Sequence, residues 1–197
     1  MRIFLAGATS LIGQRLIVLM TSLGHEVGGM TRSPSSAELL KSLGAVPVVC
    51  DVYDVERLHE AVGRFNPDLV MHQLTDLPDA IDEIPQHLAR HERIRTEGTA
   101  NLLSAASQAG VRGFMLQSIA WPGGPALQPW SSSPVVQPHE RKVLDVGGTV
   151  LRYGQFYGPG TYHEGEPPGE PRIHIDEAAR RTTLYLTGGH GVIEVVD

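Results

Sequence analysis

The chain has a single cysteine, Cys50, which excludes an internal disulfide bond. That count suits a reducing compartment. No apolar run approaches the ~20 residues that span a bilayer. The apolar start at residues 3–8 is not preceded by a basic region of the length that export signals carry. We therefore expect a cytoplasmic protein without a membrane partner.

Positive charge is also scarce. The sequence has 16 lysines and arginines against 22 aspartates and glutamates, a formal net charge of −6, and no basic run. Binding to nucleic acid phosphates needs a dense cationic face. The composition therefore excludes nucleic acid as the main partner.

Several catalytic motifs are absent. The sequence contains no GxxxxGK[ST] loop, no Gly-x-Ser-x-Gly elbow and no HExxH helix, which argues against a P-loop nucleotidase, a serine hydrolase and a zinc peptidase. His87 and His91 lie one helical turn apart, with Glu83 one turn earlier. Without a cysteine cluster beside them we interpret these three as a polar helix face, and we predict no metal site.

Short apolar runs alternate with helical patterns along the whole chain. The predicted strands are 3–6, 25–31, 46–50, 68–74, a run that begins at 114, 149–153 and 192–196, and the predicted helices are 11–23, 35–43, 55–65, 85–108, 137–146 and 176–186. This alternation is typical of parallel βαβ units. We predict an α/β fold with a doubly wound parallel sheet, the Rossmann fold, as a single domain over residues 1–197.

Two segments are predicted loops. Residues 121–138 contain five prolines, and residues 158–171 are rich in glycine, proline and glutamate. In doubly wound folds ligands bind beyond the carboxyl ends of the strands, where such loops gather. We therefore expect both segments near the substrate cleft.

A glycine-rich turn joins the first strand to the first helix. Gly7 permits a tight turn and Gly13 permits close packing of the helix on the sheet, while the helix N-terminus attracts an anionic pyrophosphate. Ser10 stands where a central glycine is usual, and its hydroxyl could donate to a phosphate. The alternative is a tight turn that binds no ligand.

The end of the second strand distinguishes between cofactors. An acidic residue there would bind the ribose hydroxyls of NAD. This chain has Arg32 instead, which can pair with a 2′-phosphate, with Thr31 or Ser33 as hydroxyl donors. The residues favour NADP, with NAD as the alternative; Arg32 could also be a solvated loop arginine.

These segments together resemble the short-chain dehydrogenase/reductase superfamily, and within it the extended or atypical branch, the NAD-dependent epimerase/dehydratase family. The resemblance rests on the glycine turn, on Cys-Asp-Val at 50–52, on His-Gln-Leu-Thr at 72–75 and on residues 151–160. It implies a cofactor site with Asp51 at the adenine, although Asp51 could instead cap a turn. The predicted cofactor-binding residues are Gly7, Thr9, Ser10, Leu11, Ile12, Gly13, Arg32, Asp51, Val52, Gln73, Leu74, Thr75, Gln117, Tyr153 and Phe156.

Catalysis in that family needs a serine and a tyrosine with a lysine four residues later. Ser118 fits the serine. No tyrosine has such a lysine, and the expected position falls near Trp130, with Pro134 four residues on. Substitutes from the sequence are His139, which could titrate near neutral pH and share a helix face with Lys142, and Tyr157 in the loop near the nicotinamide. His139 could equally be solvated, and Tyr157 could serve packing only.

Three functions remain open. The first is an NADP(H)-dependent oxidoreductase or epimerase-like enzyme acting on a small carbonyl or sugar-type substrate. The second is a non-catalytic NADP(H)-binding sensor or regulator, and the third an inert, truncated relative. Extended family members continue into a substrate lobe, so the end at Asp197 predicts a reduced or missing C-terminal lobe. A homodimer is compatible with the resemblance, and the small-molecule substrate is not identified.

Overall fold

A seven-stranded parallel sheet forms the centre of the molecule. The computed structural model describes residues 1–120 and 134–197. The strands are β1 Arg2–Ala6, β2 Glu26–Thr31, β3 Val46–Val49, β4 Leu69–His72, β5 Gly113–Ile119, β6 Thr149–Tyr153, β7 Gln155–Tyr157, β8 Arg172–His174 and β9 Gly191–Val195. The central sheet has the order β3-β2-β1-β4-β5-β6-β9. This is the doubly wound fold that the sequence predicts, and the order reverses between β1 and β4.

Helices connect the strands and cover the sheet. They are α1 Leu11–Ser22, α2 Ala37–Ser42, α3 Val55–Phe65, α4 Ile84–Arg93, α5 Thr99–Gln108, α6 Val136–Asp145 and α7 Ile175–Thr183. The helix predicted over 85–108 is α4 and α5 joined by a π-helical turn, Ile94–Gly98. Within the described part of the chain, no helix has the length and apolarity needed to cross a membrane.

Two hydrophobic cores pack on opposite faces of the sheet. Strand β1 shows the division, since Ile3 and Leu5 belong to one core and Phe4 and Ala6 to the other. Side chains alternate between the faces of a strand, so a strand buried on both sides needs an unbroken apolar run. The apolar residues at the start of the chain meet that requirement.

The structure differs from the secondary structure predicted from the sequence in two places. Strands β7 and β8 form a small separate parallel pair that was not predicted, because three mixed residues carry no clear period. Residues 136–138 of the predicted loop are helical, since Pro138 lies in the first turn of α6, where a missing N–H costs nothing. Residues 121–133 of that loop lie outside the described residues.

Candidate functional site

Two adjoining cavities lie at the carboxyl ends of β1 and β4. Cavity A, of about 250 Å³, is lined by Arg32 and Asp51 among others. Cavity B, of about 310 Å³, includes Ser118 in its wall. Both are lined by Ser10, Gln73, Thr75 and Leu77. These shared walls join the cavities into one cleft at the switch point of the sheet, where doubly wound folds bind ligands.

Glycine is required at two positions of the turn below the cleft. Gly7 has a φ of +97°, and a Cβ there would lie 2.5 Å from the Gln73 carbonyl oxygen. A Cβ on Gly13 would lie 2.2 Å from the Gly7 carbonyl oxygen. Any side chain at either position would push the turn away from β4 or away from α1.

The hydroxyl of Ser10 caps helix α1. Its Oγ donates to the Gly7 carbonyl at 2.8 Å and accepts from the Gly13 N–H at 3.1 Å. In this structure the Ser10 proton is therefore donated within the turn. The N–H groups of Leu11 and Ile12 have no hydrogen-bond partner among residues 1–120 and 134–197. These free donors at the positive end of α1 fit an anionic group such as a pyrophosphate.

Arg32 stands exposed at the wall of cavity A, and no described residue forms a hydrogen bond or ion pair with its side chain. The hydroxyls expected to assist it are used locally. Thr31 Oγ1 accepts from the Ser33 N–H at 3.2 Å, and Ser33 Oγ lies 2.7 Å from Ser35 Oγ. Arg32 is thus a cation without a described partner at this end of the cleft.

Asp51 has the turn role that the sequence left open. Its Oδ1 accepts from the Tyr53 N–H at 2.9 Å, and the residue also lines cavity A. A turn contact at one oxygen leaves the other available to a ligand in the cavity.

The structure places almost all predicted cofactor residues on the cleft. Cavity A is lined by Gly7, Thr9, Ser10, Arg32, Asp51, Val52, Gln73, Leu74 and Thr75, and cavity B by Ser10, Leu11, Ile12, Gln73, Thr75, Gln117, Tyr153 and Phe156. Gly13 lines neither, because it packs α1 against the turn from behind.

Ser118 belongs to a buried polar triad at the edge of cavity B. Its Oγ donates to Glu140 Oε1 at 2.5 Å. Arg152 binds both carboxylate oxygens of Glu140, through Nε at 3.0 Å and Nη2 at 2.7 Å. Because its proton points to Glu140, the Ser118 hydroxyl presents lone pairs to the cavity and can accept from a substrate hydroxyl.

His139 does not behave as the sequence predicts. It is buried, 3 % exposed, while Lys142 is exposed, so the two do not share a helix face. Burial, more than the nearby charge of Arg95, lowers the pKa of His139 to about 3. Its ring lines neither cavity. The prediction that His139 titrates near neutral pH is therefore wrong, and so is the alternative prediction that its side chain is solvated.

Tyr157 packs away from the cleft. Its Oη donates to Asp197 Oδ2 at 2.9 Å, and this bond raises the tyrosine pKa. Its ring meets His174 edge-on at a centroid distance of 5.2 Å. Because Tyr157 lines neither cavity, its packing role is the one the structure shows.

Sequence reasoning missed the π-helical wall of cavity B. Arg95 lies there with 5 % exposure, and its Nη1 has no hydrogen-bond partner among the described residues. His91, one turn earlier, is buried in the same wall, and its Nδ1 accepts from the Asp76 N–H at 3.4 Å. In the sequence Arg95 is one more charged residue in a helix with polar neighbours, so no signal marked it.

His91 is also separated from its supposed helix-face partner, since Glu83 is exposed while His91 is buried. Across residues 1–120 and 134–197, no three acidic, histidine or cysteine side chains gather as a metal site would require. The position near Trp130, where a catalytic tyrosine would fall, lies outside the described residues.

Tyr162 closes one side of cavity B. It belongs to the segment 158–171, and its Oη donates to the Pro78 carbonyl oxygen in the chain that follows β4. Gly160, Thr161 and His163 of the same segment also line cavity B. The segment therefore forms part of the wall of the cleft.

The fold and this cleft define a protein of the NAD-binding Rossmann class. Residues 3–142 match the family described as NAD dependent epimerase/dehydratase family. The chain belongs to this family, which confirms the resemblance predicted from the sequence.

Two relatives in sequence are named as oxidoreductases. The chain is 38% identical over 180 residues to a 3-diazoavenalumate denitrifying reductase from Streptomyces sp, covering 82% of this chain and 58% of the relative. It is 30% identical over 112 residues to a decarboxylating sterol-4-alpha-carboxylate 3-dehydrogenase from Dictyostelium discoideum, covering 57% of this chain and 33% of the relative. The match thus spans less than two thirds of either relative.

Solved structures of epimerases share the fold. The UDP-glucose 4-epimerase of Thermus thermophilus, in complex with NAD, superposes with a TM-score of 0.79 at 20% identity, over 100% of this chain and 78% of the epimerase. The Bordetella bronchiseptica enzyme WbmG, also in complex with NAD, gives 0.77 at 22% identity, over 100% of this chain and 72% of that enzyme. At these identities the likeness shows the fold alone.

Proposed function

We propose that this chain is an NADP(H)-dependent oxidoreductase that acts on a small carbonyl or alcohol substrate. The observation that carries the proposal is the continuous cleft, which runs from the free N–H groups of helix α1 to the hydroxyl of Ser118. A nicotinamide cofactor, when bound, supplies or accepts the hydride. The reductase and dehydrogenase names of the sequence relatives support this reaction class.

The cleft has a donor for each phosphate of the cofactor. The N–H groups of Leu11 and Ile12 hold the pyrophosphate, and Gly7 lets it approach the backbone. Arg32 holds the 2′-phosphate that distinguishes NADP from NAD.

The substrate half combines apolar side chains with the hydroxyl of Ser118. Ile119 and Phe156 line cavity B and exclude water, while Ser118 accepts from a substrate hydroxyl. Tyr153 also lines this cavity, but its Oη lies 2.6 Å from Thr182 Oγ1, and burial raises its pKa to about 12. Tyr153 therefore holds the wall in place, and the proton donor is unassigned.

Replacing Arg32 tests the cofactor. In Arg32→Ala we expect NADPH to bind about 10- to 100-fold more weakly and NADH to bind as before, because one charge-assisted pair contributes roughly 1.5–3 kcal/mol. Titration of protein fluorescence with each cofactor measures both affinities. Arg64→Ala, an exposed change on α3 away from the cleft, is the matched control. Equal losses for both cofactors would defeat the NADP assignment.

Replacing Ser118 tests the reaction. In a screen of NADP⁺ reduction with small alcohols, whose hydroxyl can donate to Ser118, Ser118→Ala should lower turnover about 10- to 100-fold while the cofactor binds unchanged, because one oriented hydrogen bond is lost. The exposed Ser107→Ala on α5 is the control. Unaltered turnover in Ser118→Ala would remove this serine from the reaction.

A non-catalytic NADP(H)-binding regulator is the second candidate. A catalytic tyrosine–lysine pair would require a lysine in the cleft. Neither of the chain's two lysines, Lys41 and Lys142, lines cavity A or cavity B, and this favours the regulator. Tight NADPH binding by the wild-type protein, without turnover of any compound in the screen, would support the regulator over the enzyme.

A further inference from the structure

The guanidinium of Arg95 is an unexplained charge in the wall of cavity B. The side chain is 5 % exposed, and Nη1 finds no hydrogen-bond partner among residues 1–120 and 134–197. Desolvation lowers its pKa to about 10, which still leaves it cationic at neutral pH. A buried cationic group with an unpaired N–H is costly, and a bound ligand is one explanation for such a group in a folded protein.

No described neighbour forms an ion pair with Arg95. Glu140 favours the charged form of Arg95, but the oxygens of Glu140 are held by Ser118 and Arg152. His91 lies one turn away and burial lowers its pKa to about 3, so it adds no charge at neutral pH. The charge of Glu92 also favours the cation. Cavity B is therefore lined by the buried positive group of Arg95.

The helix that carries Arg95 is fixed to the sheet. Thr99 Oγ1 lies 3.1 Å from Nε2 of the buried His72 at the end of β4. Between α4 and this contact the chain makes the π-helical turn Ile94–Gly98, a local irregularity that is frequent at functional sites. Arg95 thus lines the cavity from a rigid support, as recognition of a planar anion requires.

Resting on the proposed function, we propose that Arg95 binds a substrate carboxylate, so that the substrates of cavity B are carbonyl compounds or alcohols bearing a carboxylate. A guanidinium pairs with the two oxygens of a carboxylate in a planar fork. A phosphate dianion fits less well, because Arg95 faces it with a single charge and Asp79 lines the same cavity. The apolar Leu77, Ile81 and Phe156 suit the carbon skeleton between the carboxylate and the reacting oxygen.

A pair of unreactive ketones tests this recognition. 4-Acetylbenzoate and 4-acetylbenzamide have nearly the same shape and differ in charge, and NADP⁺ cannot oxidise either. We expect calorimetry to show the wild-type protein binding the benzoate at least about 10-fold more tightly than the amide. Arg95→Gln should reduce benzoate affinity about 10- to 100-fold and amide affinity by less than about threefold.

Two further variants keep the result interpretable. Arg95→Lys keeps the charge and should retain part of the preference for benzoate. It provides the test if Arg95→Gln does not fold. Arg112→Gln, at an exposed position outside both cavities, should behave as wild type. Wild-type protein that binds benzoate and benzamide equally, or a preference that survives in Arg95→Gln, would overturn the proposal.

Measurements with and without saturating NADP⁺ separate this inference from the proposed function. Failure of the protein to bind NADP⁺ would refute the proposed function. A benzoate preference in the cofactor-free protein that depends on Arg95 would still support the carboxylate site. Binding of NADP⁺ without any benzoate preference would refute the carboxylate site and leave the cofactor assignment intact.

Discussion

Acidification from pH 7 to pH 4 is expected to remove most of the free energy of unfolding. Three buried histidines cause the loss. Burial lowers the pKa of His72 to about 4 and the pKa values of His91 and His139 to about 3. All three are at most 3 % exposed, so their folded environment resists protonation.

The direction follows from proton uptake. In the unfolded chain these rings protonate near pH 6.5. Below that pH the unfolded state binds more protons than the folded state. The free energy of unfolding therefore decreases as the pH is lowered, until the folded pKa values near 3 to 4 are reached. Each histidine adds a slope of up to about 1.4 kcal/mol per pH unit. Three together can exhaust a typical stability of about 5–15 kcal/mol within a few units.

Urea unfolding followed by circular dichroism at pH 7, 6 and 5 measures this slope. His139→Leu should reduce the slope by about one third, because each of the three rings contributes equally over this range. His139 is the best choice, since both of its ring nitrogens lack partners among the described residues. His190→Leu, at an exposed position, should leave the slope unchanged. Stability that is constant between pH 7 and pH 5 would contradict the argument.

The fold could be predicted because its signals are local. The apolar residues 3–6 that enter both cores, and the glycines that no side chain can replace in the turn, are visible in a few consecutive letters. The residues that line cavity A follow directly from the ends of the same strands. Parallel strands place these ends together at one edge, so sequence order alone indicated the cleft.

The polar interior could not be predicted because it depends on distant contacts. His139 has the polar neighbours Glu140 and Arg141, which indicated a solvated helix face. In the fold, Glu140 turns inward to Ser118, 22 residues earlier, and to Arg152, 12 residues later. A single-sequence pattern carries no record of such distant pairing.

Arg152→Met should destabilise the protein by about 3–5 kcal/mol, the cost of leaving one partner of a buried ion pair without its counter-charge. The Glu140 side chain is 4% exposed, and among the described residues it would keep only the Ser118 hydroxyl as a hydrogen-bond partner in the variant. Water can compensate only a little at that depth. Arg152 is itself 23% exposed, so the lower part of this range is the better expectation.

The double variant Glu140→Gln/Arg152→Met separates charge from packing. It removes the buried carboxylate together with its partner, so we expect it to recover more than half of the stability that Arg152→Met loses. Urea unfolding at pH 7 measures all three proteins, and Arg141→Met, at an exposed position on α6, controls for the loss of an arginine. Suppose instead that Arg152→Met costs less than about 1 kcal/mol, the value of an exposed pair. The carboxylate would then be solvated in solution, and Ser118 would be free to direct its proton into cavity B.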